Sequence, residues 1–359
     1  MRGLGLLLAL PCLACCGVPR QFDVVAAQAA HARDSEQLEA ALKLYRQAVQ
    51  LRPGWAEGWW YLGTLAYDRQ QYPDAIAALS KVIHLAPKDA NAFAMLGLSE
   101  AKLNQSQAAL AHLTQALALN LGDDANMRQV VLFTQANLLL DDGAFGRAQE
   151  ILDRLAQERK DADDELTMAL GRAVLGINST RVVTTPEARD VVLTAGKAEV
   201  VAVHRDTESP LAAYATLVKR FPKVHNVEFA YGRFLLANHF DDQAVAAFKR
   251  ELENSPQHLL ARLGIAGALL RADPESSRIY AEQAVQLAPK MEEAHYLLGA
   301  SLLATGTPER AVAELETAER LNANDPRVYF ALAKAYGRVH READAARARD
   351  KFRQLSPSH

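Results

Sequence analysis

The chain has 359 residues, 50% apolar, 23% charged and 7% aromatic, with 40 basic against 43 acidic side chains and a formal charge of -3. That balance excludes a disordered chain, which buries too little apolar surface to fold, and it offers no basic block to nucleic acid or to anionic lipid. The longest apolar run, Leu4 to Ala14, is shorter than the ~20 residues of a membrane-spanning helix, so hydropathy alone predicts no permanent span.

The N-terminus has the layout of an export signal over residues 1–16: one cation at Arg2, a leucine-rich stretch, then small residues from Ala14 to Gly17. Cys12, Cys15 and Cys16 are the three cysteines of the chain, and their absence from the rest suits a compartment where stray thiols are oxidised. A metal or redox role for them would have to operate inside a segment that export removes. Leu13, Ala14 and Cys16 resemble the bacterial lipoprotein signal, although Cys15 stands where that signal has a small residue. Two outcomes stay open: acylation of Cys16 tethers the protein to a membrane, or cleavage near Gly17 or within residues 24–30 releases it. Both predict an exported protein, periplasmic or membrane-tethered.

From residue 22 onward the chain repeats with a period of about 34 residues. "WWYLGTLAYDRQQYPDAIAALSKVIHLAP" (59–87) aligns without a gap on "FAMLGLSEAKLNQSQAALAHLTQALALNL" (93–121). Leu62 meets Leu96, Gly63 meets Gly97, Ala75 meets Ala109 and Leu79 meets Leu113. The same template reaches Ala41, Tyr45 and Ala48 upstream, and Leu298, Gly299, Ala311, Leu315, Leu332 and Ala345 downstream. Large residues at 59, 62 and 66 or 67 form one helical stripe. Gly63 is the notch that admits a second helix, and Ala75 is expected to offer the facing small surface. Pro87 closes the unit because it cannot extend the helix. Each hairpin leaves an apolar flank that must be covered by a neighbour.

The rhythm breaks in the middle. Residues 177–185 read as an exposed loop, followed by a helix from about Pro186 and another over Pro210 to Phe221; a strand at Arg181 to Thr184 would lack a partner. The expected organisation is a repeat block at 22–162, a degenerate repeat with an insertion loop at 163–222, and a second block at 225–359, about nine units in all. Ser209-Pro210, Asp273-Pro274, Thr307-Pro308 and Asp325-Pro326 each place a capping oxygen before a proline at the first helical position.

Aromatic, Leu-Gly, Ala, bulky residue, Ala and Pro at these spacings resemble the tetratricopeptide repeat family. The resemblance implies an all-α, right-handed superhelical solenoid of stacked helix-turn-helix hairpins, with the first helix of each hairpin lining the inner face.

Catalytic patterns are weak. The closest histidines, His225 and His239, are too far apart to bind a metal from one helix turn. Ser99 in "GLSEA" falls inside a helix rather than on a nucleophile elbow. "AGKAE" (195–199) has Val191 where a phosphate loop needs its first glycine, so Gly196 reads as a helix contact. "LDDGAFG" (140–146) reads as an inter-helix turn. The sequons at Asn104 and Asn178 carry no information by themselves. The sequence therefore predicts no catalytic site, no metal and no cofactor. An enzyme would need a pocket in 177–209 built on Asp190, Glu199 or His204.

The resemblance instead implies a partner groove at recurring first-helix positions: Trp60, Tyr67, Phe133, Asn137, Phe229, Arg233, Tyr296, Phe330 and Lys334, with Ala94, Leu98, Leu140 and Arg327 at equivalent places. The clamp that grips carboxylate tails in some members is missing, since Trp60, Thr64, Ala94 and Leu98 occupy its positions in the second and third repeats. The expected function is a non-catalytic scaffold for protein or peptide partners outside the cytoplasm. The alternative is a glycan- or polymer-binding regulatory subunit that uses the same aromatics as stacking platforms.

Overall fold

The computed structural model describes residues 21–122, 125–159, 162–178, 183–204 and 209–356; the segment 1–16 expected to be an export signal, with Cys16, lies outside them. Nineteen α-helices and no strand occur among the described residues, and no helix there is long and apolar enough to cross a membrane. The chain divides into two compact units, one ending at Leu138 and one starting at Leu139.

The first unit contains α1 (Gln21–Asp34), α2 (Leu38–Leu51), α3 (Ala56–Asp68), α4 (Tyr72–Leu85), α5 (Ala90–Lys102), α6 (Ser106–Ala118) and most of α7 (Ala125–Asp141). The second holds α8 (Phe145–Glu158), α9 (Asp164–Leu175), α10 (Pro186–His204), α11 (Pro210–Arg220), α12 (Val227–Ala237), α13 (Asp241–Asn254), α14 (Leu259–Leu269), α15 (Pro274–Leu287), α16 (Glu292–Ala304), α17 (Pro308–Leu321), α18 (Pro326–Arg338) and α19 (Glu342–Leu355).

The repeat is written into the backbone. Glu36, Gln70 and Asn104 in the first unit, and Gly306 and His340 in the second, recur at the repeat spacing and all adopt left-handed φ, from 57 to 82°. Each follows the first helix of a hairpin, where a left-handed residue lets the next amide reach back to an orphan carbonyl. Gln71 N donates to Ala66 O at 2.8 Å and Arg341 N to Tyr336 O at 2.9 Å. The template side chains then meet inside: Ala41, Tyr45, Leu79, Leu113, Leu315 and Ala345 are all buried.

Gly63 is the expected notch, but its counterpart differs from the expectation. A Cβ there would lie 2.7 Å from Leu79 Cγ, and the same relation holds for Gly97 with Leu113 and Gly299 with Leu315. Leucine four residues beyond the alanine fills the glycine's gap; Ala75 is buried beside it.

The middle follows another rule. Helices α10 and α11 begin at Pro186 and Pro210 as the sequence predicts, and Val183 and Thr184 are not in a strand. Helices α9 and α10 touch backbone to backbone. A Cβ on Gly171 would fall 1.9 Å from Val192 O, and one on Gly196 would fall 1.9 Å from Thr167 O. Gly196 is thus the helix contact that its sequence context suggests.

Capping is uneven. Asp273 and Asp325 accept from Ser276 N and Arg327 N, whereas Ser209 makes no side-chain cap and Thr307 sends its hydroxyl back to Leu302 O. Helix α14 is capped by a histidine: His258 Nδ1 accepts from Ala261 N at 3.0 Å, so Nε2 carries the proton and donates to Asn226 Oδ1 at 2.6 Å. Burial pushes the His258 pKa below the ordinary 6.5; the charge of Glu251 opposes this, and those of His225 and Arg262 add to it. Protonation would destroy the cap, and the folded state takes up that proton less readily than the unfolded chain. The stabilisation is whole above about pH 6.5 and is lost as the pH falls below it. His258→Asn keeps a capping oxygen and removes the titration. Between pH 7 and 5 the parent should therefore lose more stability than this variant in urea denaturation, with equal losses counting against the cap.

Candidate functional site

The residues predicted for a partner groove fall into different environments. On α3, Trp60 and Tyr67 are half-buried and pack against the core of the first unit, with Tyr67 edge-on to Tyr72. On α7, Phe133 and Asn137 are half-buried, and Asn137 Nδ2 donates to Phe133 O at 3.1 Å. Ala94, Leu98 and Leu140 are buried rather than exposed, the first two within the packed core around α5 and α6. Phe229 is also buried, because the rings of Phe248 and His258 close over it at 5.8 and 4.7 Å between centroids. Trp59 and Trp60 face different ways. The Trp59 indole donates to Pro53 O and lines a small cavity with Arg46, Val49 and Asp74.

Tyr296, Phe330 and Lys334 do come together. They line a groove of about 810 Å³ on α16 and α18, floored by Leu270, Leu303, Ala300 and Ala331. Phe330 is 49% exposed, resting on Phe352, with Lys334 Nζ 4.1 Å from its ring centre. Arg271, Arg338 and Arg349 complete the rim, and no carboxylate lines the groove. Among the described residues none of these four cations has a salt-bridge partner. Several other arginines of the unit do hold carboxylates: Arg250 holds Glu228 through two bonds, and Arg341 pairs with Glu316 and Asp344.

Arg327 is matched too. It bonds Asp325 and Glu293 and lies 4.7 Å above the Tyr296 ring. Glu292, Glu293 and Asp325 bring carboxylate oxygens within 4.8 Å of one another. Burial and the charge of Asp325 push Glu292 up to about 7. Arg327 holds two of the three carboxylates and so ties α16 to α18, while Glu292 keeps one buried oxygen without a hydrogen-bond partner.

A second concavity arises where α11 adds a third helix to the degenerate repeat. Its volume is about 570 Å³, and it is walled by α8, α10, α11 and α12, with Val174 of α9. Glu199, suspected from sequence, lines it nearly buried; its Oε1 accepts from Gln149 Nε2 at 2.9 Å and its Oε2 from the Tyr214 hydroxyl. Arg233 Nη2 donates to Gln149 Oε1 at 2.9 Å. Asp153, facing the same space, is pushed up to about 7, first by burial and then by the charge of Glu199. Burial and Glu199 also raise the Tyr214 hydroxyl. Asp190 lies outside this group, paired with Arg220 at 2.6 Å, and His204 ends α10. No local motif marks Asp153, Gln149 or Tyr214, which come together only through the fold.

The sequence pattern of the family described as Tetratricopeptide repeat matches residues 32–98 and 273–335. No curated protein matches the chain. Among solved structures, MamA from Desulfovibrio magneticus RS-1 is 19% identical, with 46% of this chain and 94% of that one covered and a TM-score of 0.43. YrrB, a repeat protein with an unusual peptide-binding site, is 16% identical over 50% of this chain and 93% of its own, with a TM-score of 0.41. Yeast Tom70 is 11% identical over 94% and 92%, with a TM-score of 0.32.

Proposed function

Because the chain is a tetratricopeptide repeat protein, we propose that it is a non-catalytic scaffold acting outside the cytoplasm, which holds acidic, apolar segments of partner proteins on α16 and α18. The observation that carries this reading is the groove of Tyr296 and Phe330 rimmed by Arg271, Lys334, Arg338 and Arg349 without a carboxylate. An apolar anchor buried against Phe330 contributes about 1.5–3 kcal/mol. Carboxylates beside it meet four unmatched cations, each exposed pair adding up to about 1 kcal/mol and weakening with salt.

The test is fluorescence anisotropy with labelled peptides that combine Phe or Leu with Glu and Asp. Phe330→Ala should weaken binding about tenfold, the loss of roughly half an apolar anchor. Lys334→Glu should weaken it too and flatten its salt dependence, whereas a neutral glycan stacked on Phe330 would ignore the charge change. Equal binding of acidic and basic peptides would overturn the reading. The location rests on the layout from Arg2 to Cys16. Mass spectrometry of the mature N-terminus tests it, separating an acylated Cys16 from a start farther downstream or an uncleaved chain.

A further inference from the structure

We propose that the cavity walled by α8, α10, α11 and α12 binds an alkylammonium group, at a site separate from the groove on α16 and α18. The cavity is built like a receptor for a cation with an apolar stem. Its wall includes Val174, Ala202, Val203, Leu211 and Phe234, and its polar end gathers Asp153, Glu199, Tyr214 and Gln149, with Arg233 bound to Gln149 at its edge.

The hydrogen bonds at that end are unevenly satisfied. Both oxygens of Glu199 are engaged, by Gln149 and by Tyr214, and Gln149 in turn is held by Arg233. Asp153 is different: its Oδ1 is shut off from solvent and has no hydrogen-bond partner. A buried carboxylate oxygen without a donor is costly. An ammonium brings three donors and a positive charge. The stacked pair of Phe234 and Tyr214, with ring centres 4.6 Å apart, adds an aromatic surface that favours a nearby cation.

A bare metal ion fits less well. Glu199 has its oxygens committed to amide and phenol donors, which leaves Asp153 as the one free carboxylate, whereas hard cations collect six or more oxygens. The volume of about 570 Å³ also exceeds what an ion needs and suits a short chain ending in an amine.

Occupation has a proton signature. The charged groups acting on Asp153 are Glu199 and Glu150, which with burial raise its pKa, and Arg233, which lowers it; the net position is about 7. A bound cation favours the ionised carboxylate, so binding near pH 7 releases part of a proton. At pH 5.5 Asp153 is mostly neutral, and affinity should be about tenfold lower or more than at pH 8.

Isothermal titration calorimetry of the whole protein tests this with three probes: 1,5-diaminopentane, the amide of Nα-acetyl-lysine, and the amide of Nα-acetyl-norleucine as a neutral match for the lysine stem. An ammonium probe should bind more tightly than norleucine, with a heat at pH 7 that varies with the ionisation enthalpy of the buffer. Binding of the diamine alone identifies a free amine as the ligand class, and binding of the lysine amide identifies a protein side chain. Asp153→Asn should abolish binding while leaving the melting temperature at least as high as the parent's. Lys334→Glu should leave it unchanged, which keeps this site independent of the peptide groove. If neither ammonium probe exceeds norleucine, or if Asp153→Asn binds as the parent does, the proposal fails.

Discussion

Gly196→Ala and Gly171→Ala should each destabilise the second unit by about 3 kcal/mol, the upper end of what overpacking usually costs. The reason is what the new methyl group would meet. At both positions the ideal Cβ lies 1.9 Å from a carbonyl oxygen, that of Thr167 or of Val192. A backbone atom within a helix cannot rotate aside, so α9 and α10 must separate. Separation loosens Leu170, Ala173, Val192, Ala195 and Ala198, all buried along the contact. Gly63→Ala is the internal comparison: its methyl meets Leu79 Cγ at 2.7 Å, and a leucine side chain can give way, so about 1 kcal/mol is expected. Gly146→Ala, with nothing within 4 Å in the first turn of α8, should be neutral or stabilising by up to about 1 kcal/mol from helix propensity alone. Urea denaturation of the four variants checks the order. A cost at Gly196 no larger than at Gly63 would mean that α9 and α10 do not approach this closely.

The two kinds of glycine contact explain why the ends of the chain were legible and the middle was not. Gly63 with Leu79 and Gly299 with Leu315 have the same spacing, so one template finds both and also places the left-handed turns at Gln70 and Gly306. Gly171 and Gly196 lie on opposite sides of a loop, and each faces backbone rather than a recognisable side chain. Nothing in a residue pattern announces a contact made to a carbonyl. The groove shows a similar limit. Phe229 and Phe330 occupy equivalent template positions, yet one is sealed by Phe248 and His258 while the other is half exposed beside Phe352. Three of the four rim cations also escape a rule based on first-helix positions. Arg271 lies in a turn, Arg338 at the last residue of α18, and Arg349 on a second helix. The polar cavity needs residues from four helices, so only the fold could assemble Asp153 with Glu199.

Glu251→Ala should cost as much as the glycine changes, about 3 kcal/mol, because one buried and one half-buried donor would lose their acceptor at about 1–3 kcal/mol each. Glu251 is fully buried on α13, and its carboxylate accepts the backbone N–H groups of Asn226 at 3.0 Å and Phe229 at 3.2 Å. It does for α12, from another helix, what a local cap does elsewhere. Asn226 cannot serve itself, since its φ of 67° turns its side chain to other uses. Its Nδ2 donates to Leu175 O at 2.6 Å and its Oδ1 accepts from His258. One carboxylate thus fixes the residue that ties the end of α9 and the start of α14 to the start of α12. Glu251→Gln retains a single acceptor and should cost about half as much, with one amide still satisfied. Amide hydrogen exchange localises the effect. Phe229 N–H should exchange faster in both variants, most in the alanine form, while Gln71 N–H in the first unit stays unchanged. A loss below about 1 kcal/mol for the alanine variant would show that α12 holds its N-terminus without this carboxylate. Equal exchange at Phe229 and Gln71 would place the damage in global unfolding rather than at the cap.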